Sequence, residues 1–400
     1  MSEISTASLR SCAPNERVYK VVCRANKHFE NKNYRCAIEE YTKALTLSQP
    51  DLDPSKSTDF AALLFGNRSA CYFAYKLYID AEKDTRQMIR LRPEWSKGYF
   101  RRADILLELG RFDDALEDYK EARLRDPSNP KIPLRIAHAL IMKDDQEMGV
   151  AICQLIPGRD ICLMTTTVNP VQQKIFSIAI EIKNIIYVIA DIASRNCVVI
   201  DACWDVNGIL KFIETKKWKL MGAIVTHYHF DHVGGPPPPP YNHIPIKISG
   251  LFDLTKQVSN LKVYVNPLDI PYLLSANPAL KSYTDRIIHT HGQHRESLGE
   301  KTILRFIHVP GHTEGSQAIL VNGCRLITGD TLMCGCMGRV DLPGGNLSEI
   351  KITLRERLGK LEDGVVVLPG HDYGGKWTTI GMERERGIIG HFGKKKASID

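Results

Sequence analysis

The most informative stretch of this chain lies at residues 226–235, with the sequence Thr-His-Tyr-His-Phe-Asp-His-Val-Gly-Gly. It holds three imidazoles and one carboxylate within six residues, namely His227, His229, Asp231 and His232. Histidine and carboxylate ligands without a thiolate are typical of catalytic zinc, iron or manganese sites. In extended backbone His227 and His229 point to one side, and the other two side chains then serve a second, adjacent position. The stretch therefore predicts a metal centre.

The pattern behind this prediction is a short apolar run that ends abruptly in a loop with a histidine or an aspartate. The stretch follows the run LMGAIV, and three later runs (TILRFIHVPG, CRLITG and VVVLPG) precede His312, Asp330 and His371. Strands of one sandwich present such loops at one edge, so distant side chains converge there. Asp330 has two oxygens and can bridge two metals, which together lower the pKa of a shared water to about 7. We expect Asp231 and Asp330 to act in catalysis.

The N-terminal third of the chain has an internal repeat. Small residues recur at Ala37, Ala81 and Ala115, and the last two are 34 residues apart, the tetratricopeptide period. The longer first interval contains SQPDLDPSKST at 48–58, which predicts a loop. Three repeats suffice for a stable helical stack with a concave binding groove. The sequence therefore predicts an all-α solenoid.

Four polar residues are expected to line that groove: Asn26, Asn67, Lys97 and Arg101. Lysine, arginine and two amides suit a terminal carboxylate and its acidic neighbours. The set resembles carboxylate-clamp tetratricopeptide domains, which hold the acidic C-terminal tail of cytosolic heat-shock chaperones. A second lysine of that family's clamp corresponds here to Val22. The alternative is a set of solvated surface residues.

The change from helical repeats to short runs rich in isoleucine and valine predicts two domains. We expect a flexible N-terminus at 1–15, the repeat domain at 16–130, a capping helix and linker at 131–165, and an α/β domain at 166–400. Near the start of the α/β domain, the runs KIFSIAIEI (174–182), NIIYVIAD (184–191) and NCVVIDA (196–202) predict strands.

The motifs THYHFDHVGG, PGHTEGS, GDTL and LPGHDYG resemble the series of the metallo-β-lactamase superfamily, in its glyoxalase II-like and persulfide dioxygenase-like branch. The resemblance covers about residues 166–385 and implies an αββα sandwich. It implies one metal held by His227, His229 and His312, a second held by Asp231, His232 and His371, and Asp330 as the bridge. Asp201 corresponds to an aspartate that lies close to the metals.

Two reactions are compatible with this resemblance. The first is hydrolysis of a thioester or related ester, as in hydroxyacylglutathione hydrolase, with two Zn²⁺ ions. The second is oxidation of glutathione persulfide by one Fe²⁺, held by the positions that match His227, His312 and Asp330. Arg339 and Tyr373 occupy positions that contact glutathione in the dioxygenase family, although structural roles remain open for both. A third interpretation is a chaperone-binding adaptor with a weak or inactive hydrolase domain.

The composition excludes several other classes. The formal charge of +7 is spread along the chain and argues against a nucleic-acid interface. No apolar run approaches the roughly 18 residues of a transmembrane helix. The 11 cysteines form no even framework, so we expect reduced thiols and a cytoplasmic protein. The run Pro236–Pro240 predicts a stiff polyproline segment, either a rigid surface spacer or a wall of the substrate pocket.

Overall fold

The computed structural model describes residues 13–48, 54–165, 168–237, 239, 242 and 247–390. Most of the N-terminus that we expected to be flexible lies outside these residues, and so do Pro238 and Pro240 of the proline run. The chain divides into two compact units, Met1–Asp144 and Asp145–Asp400.

The first unit is a stack of helices. The helices are α1 (Glu16–Glu30), α2 (Tyr34–Leu47), α3 (Pro54–Ala74), α4 (Tyr78–Leu91), α5 (Ser96–Glu108), α6 (Phe112–Arg125) and α7 (Lys131–Glu147), of which α7 continues past the boundary between the units. Ala37, Ala81 and Ala115 are fully buried on α2, α4 and α6. These alanines allow the two helices of each repeat to pack closely, and the predicted tetratricopeptide fold is confirmed. Helix α3 begins at Pro54, inside the stretch that we expected to be a loop.

An ion pair recurs in each repeat and joins its first helix to its second. The pairs are Arg24 with Glu40, Arg68 with Asp84, and Arg102 with Asp118, each 16 residues apart. Asp84 accepts two hydrogen bonds of 2.7 Å from Arg68, and Asp118 accepts two of 2.6 Å from Arg102. Both aspartates are buried, and each is neutralised by the arginine of its own repeat.

The second unit contains two sheets flanked by helices. Its strands are β1 (Val150–Leu155), β2 (Ile186–Asp191), β3 (Asn196–Ile200), β4 (Lys219–Ile224), β5 (Lys262–Val265), β6 (Ile287–His289), β7 (Arg295–Ser297), β8 (Ile303–His308), β9 (Gln317–Val321), β10 (Arg325–Gly329), β11 (Leu332–Met333), β12 (Cys336–Met337), β13 (Val366–Pro369) and β14 (Thr378–Thr379). Its helices are α8 (Pro170–Ile182), α9 (Val206–Thr215), α10 (Phe230–Val233), α11 (Leu251–Gln257), α12 (Ile270–Ala276), α13 (Leu347–Ile352) and α14 (Ile380–Glu385). Shorter 3₁₀ and π turns cover Pro278–Arg286, Thr353–Arg357 and Leu358–Lys360.

The first sheet has the order β1-β2-β3-β4-β5-β6, and the second has the order β14-β13-β10-β9-β8-β7. Neighbouring strands are parallel from β3 to β6 and between β10 and β13, and antiparallel elsewhere. Strands β11 and β12 form a separate small ribbon.

The two sheets face each other. The Tyr187 hydroxyl on β2 donates to the carbonyl of Pro369 on β13 at 2.7 Å, and the rings of Tyr264 and Phe306 lie 5.7 Å apart. Helices α8, α9, α11 and α12 pack on the outside of the first sheet, and α13 and α14 on the outside of the second. The arrangement is the αββα sandwich that the motifs predicted.

Two segments differ from the sequence-based expectations. The run at 174–182, predicted as a strand, lies in helix α8, so that prediction was wrong. Asn169 caps this helix by accepting a hydrogen bond from the Gln172 N–H, and Pro170 follows as a favoured first residue. The stretch 131–165 begins with the expected helix α7, but Val150–Leu155 then pairs with β2 as β1. The sheet therefore begins earlier than residue 166. The segment is short and apolar, and it forms a strand where the sequence predicted a linker.

No helix in the described part of the chain has both the length and the apolar character to cross a membrane.

Candidate metal centre

The histidine-rich stretch lies where β4 ends. His227 and His229 lie in the loop after the strand, with His229 in extended backbone, whereas Asp231 and His232 lie on the single turn of α10. The change from extended to helical backbone separates the two pairs. It produces the split into two adjacent ligand groups that the sequence suggested.

The other side chains of the series come from the second sheet. His312 lies in the loop between β8 and β9, Asp330 directly follows β10, and His371 follows β13. The structure brings all seven side chains together at one edge of the sandwich. Among the described residues, three groups have potential ligand atoms within 4.8 Å of one another: His227, His229 and His312; His227, His232 and Asp330; and Asp231, His232 and His371.

The first triad, His227, His229 and His312, contains buried nitrogens without partners. Within the described part of the chain, the Nε2 atoms of His227 and His229 have no hydrogen-bond partner. The Nδ1 atom of His229 lies 3.0 Å from Nε2 of His312. Buried polar atoms are almost always hydrogen-bonded, and exceptions indicate an ion or another ligand. Imidazole nitrogens facing one another in this way fit a transition-metal ion.

The second triad, Asp231, His232 and His371, is equally close. Nε2 of His371 lies 3.3 Å from Nε2 of His232 and 3.4 Å from Oδ2 of Asp231. Asp330 lies between the triads: its Oδ2 is 3.2 Å from Nε2 of His371 and 3.7 Å from Nε2 of His312. A carboxylate in this position suits a bridge between two metals.

Hydrogen bonds from behind the cluster fix the tautomers of its imidazoles. Nδ1 of His232 lies 2.8 Å from Oδ2 of Asp201, Nδ1 of His371 lies 2.9 Å from the Ile182 carbonyl, and Nδ1 of His312 lies 2.7 Å from the Arg339 carbonyl. Each of these oxygens is an acceptor, so each Nδ1 carries the proton and Nε2 is turned toward the cluster. This is the usual support of metal-binding histidines.

Asp201 also orders the first triad through Thr226. Its carboxylate accepts hydrogen bonds from the Thr226 N–H at 2.8 Å and from the Thr226 hydroxyl at 2.6 Å. The hydroxyl oxygen in turn lies 3.0 Å from Nδ1 of His227 and can accept its proton. The expectation that Asp201 lies close to the cluster agrees with these contacts, whereas Thr226 was not singled out from the sequence.

The electrostatics of the cluster distinguish the two triads. Burial and the neighbouring imidazoles hold the pKa of His227 well below its usual range, and the pKa of His229 is lowered to about 4. Burial alone would lower the pKa of His232, but the carboxylates of Asp231, Asp330 and Asp201 outweigh it and raise the pKa to about 10. His227 and His229 are therefore neutral imidazoles, whereas His232 of the second triad is paired with carboxylates.

The two substrate-binding candidates lie at the edge of the cluster. Arg339 is exposed and donates to both carboxylate oxygens of Asp341, at 2.8 and 2.6 Å. The Tyr373 ring is 54% exposed and stacks on the His371 imidazole, with centroids 4.7 Å apart. Both side chains can meet a molecule that approaches the cluster, and their roles stay predictions.

Sequence reasoning missed Asp269, a buried aspartate that ties two ligand loops together. It accepts hydrogen bonds from the Tyr228 N–H at 3.1 Å, the Thr313 hydroxyl at 2.9 Å and the Gly315 N–H at 2.8 Å. Burial raises its pKa to about 6, against the effect of these hydrogen bonds. A signal was present, because the apolar run LKVYV before Asn266-Pro-Leu-Asp269 is another strand end followed by a carboxylate.

In the first unit, three of the four predicted groove residues gather around one tyrosine that was not predicted. The hydroxyl of Tyr41 donates to Oδ1 of Asn26, hydrogen-bonds to Asn67 and lies in the field of Arg101. Arg101 also donates to the carbonyl of Gly66. The ammonium of Lys97 lies 5.8 Å from the centre of the Trp95 ring. Val22, at the position of the family's second lysine, is buried in the core of the helices.

Comparison with known proteins agrees with both units. A family model described as the metallo-beta-lactamase superfamily matches residues 183–237, and one described as tetratricopeptide repeat matches residues 96–129. An uncharacterized protein of Aquifex aeolicus is 33% identical over 205 residues, which cover 49% of this chain and 87% of that protein. Hydroxyacylglutathione hydrolase GloC of Haemophilus influenzae is 27% identical over 192 residues, or 48% of this chain and 85% of that protein.

The helical unit has relatives of its own. Heat shock protein STI1 of Saccharomyces cerevisiae is 39% identical over 106 residues, which cover 26% of this chain and only 16% of that protein. With the fold, the site and these relatives taken together, the chain belongs to the metallo-beta-lactamase superfamily and carries an N-terminal tetratricopeptide domain.

Proposed function

We propose that the sheet unit is a metal-dependent hydrolase of the glyoxalase II type, which cleaves a thioester or a related ester. The observation that carries the proposal is the convergence of seven side chains, in which Nε2 of His227 has no hydrogen-bond partner among the described residues. Similarity to the hydrolase GloC supports the reaction class.

The residues of the chain prepare the site for this chemistry. His227, His229 and His312 would hold one ion, Asp231, His232 and His371 a second, and Asp330 would be shared. Bound zinc ions supply Lewis acidity and lower the pKa of a coordinated water to about 7. Asp201 and two backbone carbonyls keep a proton on Nδ1 of His232, His312 and His371, so that the Nε2 atoms would be the ones to hold the ions.

In the net reaction, water adds to the thioester carbonyl carbon and the carbon–sulfur bond breaks, giving a carboxylic acid and a thiol. Arg339, exposed beside the cluster, would attract an anionic part of the substrate, and Tyr373 would pack against its body. A glutathione conjugate carries both features.

The experiment combines metal analysis of the purified full chain with two assays. One assay follows hydrolysis of S-lactoylglutathione, and the other follows O2 uptake with glutathione persulfide. Two zinc ions per chain together with hydrolysis support the proposal. One iron per chain with O2 uptake overturns it in favour of a persulfide dioxygenase, a reaction for which His227, His312 and Asp330 would supply the iron ligands. Arg339→Ala is expected to raise KM several-fold and to leave kcat nearly unchanged.

For the helical unit, we infer that the groove binds the acidic C-terminal tail of a cytosolic chaperone, which would place the protein in the cytoplasm. The gathering of Asn26, Asn67 and Arg101 around Tyr41 supports this inference. Similarity to heat shock protein STI1 adds support. Because Val22 supplies no charge, we expect weaker binding than a complete clamp gives.

The groove is tested by calorimetry with a synthetic peptide that ends in several acidic residues and a free carboxylate. Arg101→Ala is expected to weaken binding at least tenfold, since truncating one partner of a desolvated charge pair costs about 2–5 kcal/mol. Arg35→Ala, a change at an exposed arginine of the same unit, is the matched control. Equal affinity of the two variants would remove the clamp.

A further inference from the structure

Asn184 is a buried amide that reaches into the second triad. It lies between α8 and β2, is 2% exposed, and forms an isolated antiparallel bridge with His371. Flanking hydrogen bonds of 2.8 Å from the Ile185 N–H to the Gly370 carbonyl and of 2.9 Å from the Asp372 N–H to the Lys183 carbonyl hold the two backbones together. The position of the amide is thereby fixed relative to His371.

The orientation of the amide is fixed as well. The indole Nε1 of Trp204 lies 2.9 Å from Oδ1 of Asn184. An indole nitrogen can only donate, so the atom that faces it must be the amide oxygen and not the nitrogen. Trp204 is itself 2% exposed and has no room to turn away. The NH2 group of Asn184 is therefore directed at the triad.

Three potential ligand atoms lie around that NH2 group. Nδ2 of Asn184 is 3.2 Å from Oδ2 of Asp231, 3.4 Å from Nε2 of His232 and 3.5 Å from Nε2 of His371. An amide NH2 group offers two hydrogens and no lone pair to a cation. Its hydrogen bond to Oδ2 of Asp231 occupies a lone pair that a metal ion would also use.

The first triad differs at this point. Among the described residues, Nε2 of His227 is left without any hydrogen-bond partner. A cation bound there relieves an unsatisfied buried atom, whereas a cation in the second triad displaces hydrogen bonds that the protein already makes.

We propose that Asn184, oriented by Trp204, makes the two metal positions unequal: it satisfies the Asp231–His232–His371 triad from within the protein and weakens cation binding there. Asn184 is a positioning residue that acts on the triad and touches no substrate. The first ion would enter the His227–His229–His312 triad, and occupancy of the second position would depend on metal supply. The proposal rests on the metal centre proposed above, but not on its substrate.

The test is a Co2+ titration of the metal-free full chain, followed by d–d absorption and by calorimetry. The wild-type chain is expected to take up two ions in separate steps, with dissociation constants at least tenfold apart. Asn184→Ala removes the competing donor without adding a charge. It should tighten the second step by up to about tenfold, the effect of one hydrogen bond, and leave the first step and its spectrum unchanged.

The direction in which the affinity of the second step changes shows whether Asn184 competes with the metal or holds the triad in shape. If Asn184 merely held the triad in shape, its loss would weaken the second step, by about 10–100-fold in comparable cases. The double variant Asn184→Ala/Trp204→Phe removes the indole N–H that the single variant leaves unpaired, and it should also tighten the second step. Asn277→Ala, at a buried asparagine that donates to the Gly234 carbonyl, is the matched control and should change neither step.

A weaker or unchanged second step in both Asn184 variants overturns the proposal, and so does equal tightening in the control. Absence of any Co2+ uptake would overturn the metal centre itself. Two-step uptake without thioester hydrolysis would count against the proposed substrate and leave the role of Asn184 supported.

Discussion

Buried charges are arranged in opposite ways in the two units of this chain. In the helical unit, Asp84 and Asp118 are each bound by two N–H groups of an arginine 16 residues earlier. In the sheet unit, the buried cluster brings histidines and aspartates together, and Nε2 of His227 has no hydrogen-bond partner in the described ranges.

This contrast gives a criterion for separating buried charges that serve stability from those that serve function. A buried charge costs folding free energy unless it is paired, and a fold that is selected for stability alone supplies the partner. The repeats supply it locally, once per repeat. The edge of the sandwich does not, and its partnerless atoms indicate that the missing partner comes from outside the chain.

The contrast between the two units predicts the largest loss of folding stability for a variant of the helical unit. Asp84→Ala leaves the guanidinium of Arg68, whose side chain is only 15% exposed, without its partner. Breaking a buried ion pair from one side costs about 3–5 kcal/mol. We expect the free energy of unfolding, from urea titration followed by helical circular dichroism, to fall by about 4 kcal/mol.

Glu39→Ala is the matched control for that variant. Glu39 pairs with Arg35 on the surface at 3.5 Å, with side chains 57% and 81% exposed, and its loss should cost no more than about 0.5 kcal/mol. Replacing both buried partners by apolar residues, Arg68→Met with Asp84→Leu, should cost less than Asp84→Ala alone. If the surface and buried variants lost the same stability, the distinction between the two kinds of charge would fail.

The helical unit is also where the sequence was most informative. The 34-residue interval placed Ala81 and Ala115 at equivalent, fully buried positions, and the same interval relates Arg68 to Arg102 and Asp84 to Asp118. Because the same contact recurs one period later, a single period relates many contacts of the second repeat to those of the third. The ion pairs escaped notice because charged residues are common on exposed helix faces.

In the sheet unit, sequence reasoning found the residues that end strands and missed those that support them. His312, Asp330 and His371 each follow an apolar run, so the strand ends could be recognised. Asn184 has no such context, because its role depends on a tryptophan 20 residues later and a histidine 187 residues later. Helix α8 was missed because its apolar residues are too dense to show a helical period.

The second prediction concerns a partnerless atom of the cluster. His227→Ala should weaken binding of the first Co2+ ion by about 100-fold or more, since a zinc-binding free energy of about 10–16 kcal/mol is shared among about four ligands. The measurement is competition with a chromophoric chelator.

His308→Ala is the control for that variant. His308 lies outside the cluster, and its Nε2 hydrogen-bonds to the carbonyl of Glu314 at 2.8 Å. Its loss should leave the affinity for the metal unchanged. Equal weakening by the two variants would mean that the fold, and not the ligand, had been removed.

The third prediction concerns Asp269, which is buried and hydrogen-bonded but has no cation beside it among the residues that the structure describes. Its pKa of about 6 in the folded protein lies above the ordinary value of 3.8, so the folded state holds the proton more tightly than the unfolded state. The resulting contribution to stability is fully present below about pH 3.8 and is lost as the pH rises through about 6.

Asp269→Asn removes this titration. The unfolding free energy of the metal-free wild type, relative to the variant, should fall by about 2.4 kcal/mol between pH 4 and pH 7. This is most of the total of about 3 kcal/mol, because one pKa unit is worth about 1.4 kcal/mol. Asp341→Asn is the contrasting control, because a hydrogen bond from Arg339 lowers the pKa of Asp341 to about 2. The difference in unfolding free energy between the wild type and Asp341→Asn should therefore stay nearly constant over the same pH range. A flat or rising difference for Asp269 would mean that its three hydrogen bonds outweigh burial. Asp269 would then resemble the paired aspartates of the helical repeats.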